Sequence, residues 1–322
     1  MARIIAVVGA TGAQGGSLCR AVLGDTKGEY KVRALTRNPE SEKARELKKL
    51  GAEVVPADLD DVESLKKAFH CAHAAYCVTP FWEHMSPEKE KAQAKNMAEA
   101  AKETHVGHVI WSTLEDTRKW VPLHDDRMPT LMGNYKVPHF DAKAEADRYF
   151  ADLGLPVTYL LASFYWENMI YFGMGPKVDP EGELAIAFPL GDRKMAGIAI
   201  DDIGRCAYNI IRNKAEYVGR TVGIAGDHLT GEEMAAALAR ALGRKIRYDA
   251  ISPNAYRRQG FPGAEELGNM FQFYRDCESA FCGARDLAVA RRIHPGMMTF
   301  DAWLAENAHR IPIEERKKAS GE

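Results

Sequence analysis

Three groups of residues in this sequence have the types and spacing that chemistry needs. The first is Gly9-x-x-Gly12-x-x-Gly15, set between the apolar run Ile4-Ile5-Ala6-Val7-Val8 and the helical pattern Ser17 to Leu23. A glycine turn between strand and helix lets the backbone approach a pyrophosphate, and the helix beyond it offers free N–H groups and a positive dipole end. The spacing differs from the commoner G-x-G-x-x-G, and a tight turn without a ligand is the plain alternative. The second group reads the ribose. An acidic residue ~20 positions past the glycines would bond the 2′-hydroxyl of NAD(H). Thr36-Arg37 stands there instead, and a guanidinium forks onto a 2′-phosphate, so Arg37 points to NADP(H) unless it is a surface arginine. The third group is His139-Phe140-Asp141-Ala142-Lys143. Its first and last residues share one helix face. They read as a proton-transfer pair, as a ribose clamp without turnover, or as a solvated pair amid Asp141, Glu145 and Asp147.

The elements that must position these groups alternate. Strands are predicted at Lys31–Leu35, Glu53–Val55, Ala74–Val78, Val109–Ser112 and Val157–Leu161 after the first apolar run. Helices are predicted between them: Ser41 to Leu50 closed by Gly51, Val62 to Phe69 capped by Asp60 or Asp61, and Ser86-Pro87 toward Thr104. Asp58, after the third strand, either borders the adenine or serves as a turn and cap residue. Thr79-Pro80 ends the fourth strand, where the chain passes the pyrophosphate and ribose. Residues 113–138, with Pro122, Pro129, Gly133 and Pro138, break the rhythm as a long, functional or mobile loop. Phe140 to Asp152 resumes the helix. Tyr165-Trp166-Glu167-Asn168 follows the sixth strand, either at the rim facing the nicotinamide or as aromatic core. A helix from Asp201 to Arg212, a strand at Thr221–Ile224 and a capping box at Thr230-Gly231-Glu232-Glu233 follow.

This order predicts an α/β, Rossmann-type, doubly wound parallel sheet with a smaller, mainly helical C-terminal domain. The expected division is 1–162 for nucleotide binding and 163–322 for the second domain, with about 196–228 returning to the sheet. The second domain is expected over the cofactor edge of the sheet.

Composition narrows the function classes. Over 322 residues the formal charge is -2 and the pI about 6.6, which gives no support for direct nucleic-acid binding. Cys19, Cys71, Cys77, Cys206, Cys277 and Cys282 form no C-x-x-C pair, and no His/Cys/carboxylate spacing suits a metal. No signal peptide precedes the first strand, and no apolar run nears the ~20 residues of a membrane helix. The expectation is a reduced, cytoplasmic protein, with its oligomeric state open.

Gly9-Ala10-Thr11-Gly12-Ala13-Gln14-Gly15-Gly16, Leu35-Thr36-Arg37-Asn38-Pro39, Ala57-Asp58-Leu59-Asp60-Asp61, Val78-Thr79-Pro80-Phe81-Trp82-Glu83 and Tyr165-Trp166-Glu167-Asn168 together resemble the NmrA-like family. That family belongs to the atypical short-chain dehydrogenase/reductases. The likeness is strong over residues 1–170 and looser through Ile200–Gly204 and Gly260–Ala264. It is nearest in kind to members that sense NADPH. The resemblance implies cofactor contacts at Gly9, Thr11, Gly12, Ala13, Gln14, Arg37, Lys143, Tyr165 and Asn168. Two departures stand out. The tyrosine slot of Tyr-x-x-x-Lys holds His139, and a basic residue common soon after the arginine is replaced by Ser41, with Lys43 nearby. The implied function is an NADP(H)-binding sensor of cofactor level or redox state acting through a protein partner. The alternative is an NADPH-dependent reductase of a small quinone, enone or aromatic substrate. Lys143 and His139 would then be its catalytic residues.

Overall fold

The computed structural model describes residues 2–179 and 182–313. The chain gathers into two compact units: Met1–Ala162 with Ile200–Ile224 and Ala288–Pro295, and Ser163–Ala199 with Ala225–Leu287 and Gly296–Glu322.

The first unit alternates strand and helix: β1 (Arg3–Val7), α1 (Ala13–Leu23), β2 (Tyr30–Thr36), α2 (Glu42–Lys49), β3 (Glu53–Pro56), α3 (Val62–Phe69), β4 (Ala74–Cys77), α4 (Phe81–His84), α5 (Pro87–Glu103), β5 (Val109–Thr113), α6 (Pro138–Asp152) and β6 (Val157–Leu161). Its sheet has 7 strands in the order Thr221–Gly223, β6, β5, β4, β1, β2, β3. Every pairing in it is parallel. The order reverses between β1 and β4, and in such sheets ligands bind beyond the carboxyl ends of the strands at that reversal. All four residues of β4 and all five of β5 are buried, as expected for strands covered on both faces. Leu65, Phe69, Met97, Trp111 and Phe150 fill one side of the sheet, with the Trp111 and Phe150 rings stacked at 4.9 Å.

Local chemistry sets the helix starts. The Ser41 side chain accepts from Ala44 N, Asp61 accepts from Glu63 N and Ser64 N, and Ser86 accepts from Lys89 N ahead of Pro87. Of the two aspartates expected before α3, Asp61 is the cap. α6 opens at Pro138, not Phe140, so His139 lies in its first turn. The 113–138 segment contains a short 3-10 turn, Thr117–Lys119, and an antiparallel bridge between Leu131 and Tyr135. It is pinned: Thr117 N and Oγ1 donate to Asp141 Oδ1 at 2.8 and 2.6 Å, and Lys136 Nζ donates to Asp125 O and Met128 O at 2.8 and 2.6 Å.

The second unit holds two three-stranded sheets and several helices. One sheet orders Asp227–Thr230, Lys194–Ile198 and Phe164–Tyr165; the other orders Ile246–Asp249, Leu184–Ala187 and Lys177–Val178. The helix Gly231–Leu242 opens on the full capping box at Thr230 and Glu233. Trp166 is central to this unit. A Cβ at Gly197 would lie 2.2 Å from its Nε1, and one at Gly226 would lie 2.7 Å from its Cη2, so both positions must be glycine for the indole to fit.

Candidate functional site

The glycine turn follows β1 at the reversal point. Gly9 takes φ +62°, in the left-handed region that glycine enters without strain. Gly12 N donates to Gly9 O at 2.9 Å and closes the turn. Gly15 seats α1: a Cβ there would lie 2.4 Å from Gly9 O. α1 has no side-chain cap at Gly12 and no acid in its first turn, whereas α2, α3 and α5 are all capped. Its leading amides and positive dipole end are therefore compensated by neither a cap side chain nor a first-turn acid. Gly9, Gly12 and Ala13 are exposed, and Thr11 and Gln14 are half-buried. The Gln14 amide oxygen accepts from the Tyr76 hydroxyl of β4.

Arg37 lies just past the end of β2 with an exposed guanidinium, whose Nη2 donates to Glu83 Oε2 of α4 at 2.6 Å. Asp58 follows β3 and accepts Asp60 N at 2.9 Å through Oδ1, which is turn chemistry.

Thr79 and Lys143 meet. Lys143 Nζ donates to Thr79 Oγ1 at 2.7 Å and stands 2.7 Å from Glu90 Oε1. Thr79 Oγ1 donates to Glu90 Oε1 at 2.5 Å. His84 Nε2 stands 3.4 Å from Glu90 Oε2, an ion pair when the ring is protonated. The ammonium also lies 5.2 Å from the Trp111 ring centroid, within cation–π range. Glu90 is fully buried and Lys143 nearly so. Burial alone would raise the Glu90 pKa, but the Lys143 ammonium and the donors around the carboxylate outweigh it and hold the group down at about 2. Beside this cluster, Asp147 Oδ1 accepts from Trp111 Nε1 and Thr113 Oγ1 at 2.8 and 2.6 Å. Burial pushes Asp147 up to about 6 against those donors.

His139 is buried among rings: Phe81 at 5.7 Å, Trp82 at 5.0 Å and Phe140 at 4.8 Å between centroids. Of the alternatives for His139 and Lys143, the solvated pair is thereby overturned; both side chains lie inside. Tyr165 and Asn168 belong to the second unit, Tyr165 on the strand Phe164–Tyr165 and Asn168 opening the helix Asn168–Tyr171. Their neighbours Trp166 and Glu167 serve that unit's core. Trp166 packs against Phe300 and Trp303, and Glu167 accepts from Trp303 Nε1 at 3.0 Å.

Sequence reasoning missed Glu83, His84 and Glu90. Glu90 sits in Pro87-Glu88-Lys89-Glu90-Lys91, whose mixed charges look like a solvated helix start; only the packing of α5 against α6 buries it. Among the described residues, no group of three or more His, Cys, Asp or Glu side chains is arranged to hold a metal ion, and no helix is long and apolar enough to cross a membrane.

The model of the NmrA-like family matches residues 1–304. An NmrA-like family domain-containing protein of Dictyostelium discoideum is 27% identical over 322 residues, covering 97% of this chain and 100% of its own. The NmrA-like family domain-containing oxidoreductase FrzB of Cladobotryum sp is 30% identical over 294 residues, covering 85% and 84%. The crystal structure of NmrA, a negative transcriptional regulator, in complex with NADP superposes with a TM-score of 0.75 at 23% identity, over 95% of each chain. With a Rossmann-type sheet, an uncapped glycine turn at its reversal and a family match spanning nearly the whole sequence, this chain belongs to the NmrA-like family.

Proposed function

We propose that this protein binds NADP(H) at the turn between β1 and α1 and reports nucleotide level or redox state to a protein partner. The uncapped amides of α1 hold the pyrophosphate, Arg37 takes the 2′-phosphate, and Lys143 with Thr79 lies along the path of the nicotinamide ribose. Tyr165 and Asn168 are proposed as further contacts on the resemblance alone. Bound NADPH would supply a hydride. The observation that carries the sensor reading is the occupant of the position four residues before Lys143. Carbonyl reduction needs a proton donor or positive group at the developing oxyanion. Here that position holds an imidazole enclosed by Phe81, Trp82 and Phe140, and the charge of the Lys143 ammonium is already paired with Glu90 beside Thr79. The solved NmrA, a regulator described with NADP, is consistent with this use of the fold.

A reductase is the second reading, favoured by the oxidoreductase name of FrzB. The test is direct. Calorimetry with NADPH, followed by the absorbance of reduced nicotinamide across aldehydes, ketones, enones and quinones, should give binding without oxidation. Steady turnover of any of these overturns the sensor reading.

A further inference from the structure

We propose that Glu83 is a second reader of the adenosine ribose. On this reading it accepts the 2′-hydroxyl of NAD(H) and yields Arg37 to the 2′-phosphate of NADP(H), so that the pair sets the preference between the two nucleotides. The inference rests on the reading that a dinucleotide occupies the glycine turn.

In a Rossmann-type sheet the ribose 2′-position lies by the end of the second strand, and an acid there takes the hydroxyl while an arginine takes the phosphate. The end of β2 carries only the arginine. The carboxylate arrives from elsewhere: Glu83 of α4, whose Oε2 lies 2.6 Å from Arg37 Nη2. Both functions needed at the 2′-position are thus in one place, from residues 46 apart in sequence.

The backbone under Glu83 is anchored, and its side chain reaches out to Arg37 at the surface. α4 is anchored by buried Phe81, by Glu83 N to Pro80 O at 2.9 Å, and by Met85 N to Phe81 O at 2.7 Å with Met85 in the left-handed region. On its other side His84 stands against Glu90. The Glu83 carboxylate itself is 53% exposed and its partner 65%. An ion pair so exposed is weak and screened, so a phosphate, with more charge and three acceptor oxygens, displaces it. Glu83 then turns outward because its charge matches that of the phosphate. With no phosphate, the carboxylate stays on Arg37 and keeps a lone pair for the ribose hydroxyl.

The experiment titrates NADPH and NADH into the unmodified protein and into Glu83→Gln, with thermal unfolding as the fold control. The amide keeps the shape but drops the charge. NADPH should bind about threefold to tenfold more tightly in the variant, and NADH more weakly by a similar factor. A ratio of the two affinities unchanged in Glu83→Gln, or both nucleotides weakened alike, overturns the role of Glu83 and leaves dinucleotide binding standing. Failure of the unmodified protein to bind either nucleotide overturns both.

Discussion

Lys143 is the residue on which the functional readings turn, and its surroundings decide how its substitution must be interpreted. The ammonium and the Glu90 carboxylate are buried together at 2.7 Å. Removing one member of such a pair leaves an uncompensated charge and costs about 3–5 kcal/mol, whereas replacing both by uncharged groups of similar volume is close to neutral. Lys143→Ala is therefore expected to lower the unfolding midpoint as well as any nucleotide affinity, and Lys143→Met with Glu90→Gln should recover most of the stability. Urea unfolding of the single and double variants checks this; additive losses would mean the pair is not coupled. The pH dependence has a definite sign. The folded pKa of Glu90 is held down at about 2, below the ~4.3 of an unfolded glutamate. Its contribution is fully present above about pH 4.3 and is lost as pH falls toward 2, so the gap between Glu90→Gln and the unmodified protein should narrow only in that acid window.

At the scale of elements, the glycine turn separates two jobs that its spacing alone runs together. Gly12 has φ −91° and ψ −175°, an extended conformation open to any residue, and it is exposed. Gly15 is buried, and its Cβ would lie 2.4 Å from Gly9 O and 2.7 Å from Val8 O. A Cβ at Gly12 would lie 3.2 Å from Gly9 O. Gly12→Val should still fold, with a smaller drop in unfolding midpoint than a change at Gly15, and lose nucleotide binding, because the branched side chain stands where the pyrophosphate would approach. Gly15→Ala should instead destabilise by about 1–3 kcal/mol through forced separation of α1 from the turn. Calorimetry and thermal unfolding of the two variants distinguish these outcomes; retained NADPH binding by Gly12→Val would remove the turn from the site. What was legible in the sequence follows the same division. Strands with continuous apolar runs, helices begun at Ser41, at the Asp60-Asp61 pair, at Ser86 and at Thr230, and the turn itself are written in local patterns and found, with Asp61 the cap of α3. The order within 113–138 was not legible. It depends on Asp141 collecting Thr117 and Lys136 amides and on Lys136 reaching carbonyls of residues 125 and 128. The Arg37–Glu83 and Lys143–Glu90 pairs are likewise contacts between distant segments, which no periodicity encodes.

For the whole molecule, the proposed sensing role raises the question of where a redox signal would enter. Thiols are the usual entry, and oxidation follows thiolate character and exposure. Cys19, Cys77, Cys206, Cys277 and Cys282 are buried, and Cys71 is exposed. Burial pushes the Cys19 thiol up to about 12 and that of Cys282 to about 11, and it raises Cys77 and Cys206 as well. These groups stay protonated at neutral pH and react slowly with peroxide. Cys71 lies between α3 and β4, before the first residue of β4, Ala74. The glycine turn follows the last residue of β1, and β1 and β4 run parallel. The exposed thiol thus sits at the opposite end of the sheet from the turn. If the protein senses redox state, the signal must then arrive with the nucleotide. Mild peroxide treatment, quenched before titration, should leave the NADPH dissociation constant within about twofold, by the ~1.4 kcal/mol-per-decade relation a change of only a few tenths. Cys71→Ser should behave the same way. A loss of binding that persists in Cys71→Ser would show a buried thiol being reached by oxidant and would place the redox input in the protein instead of its cofactor.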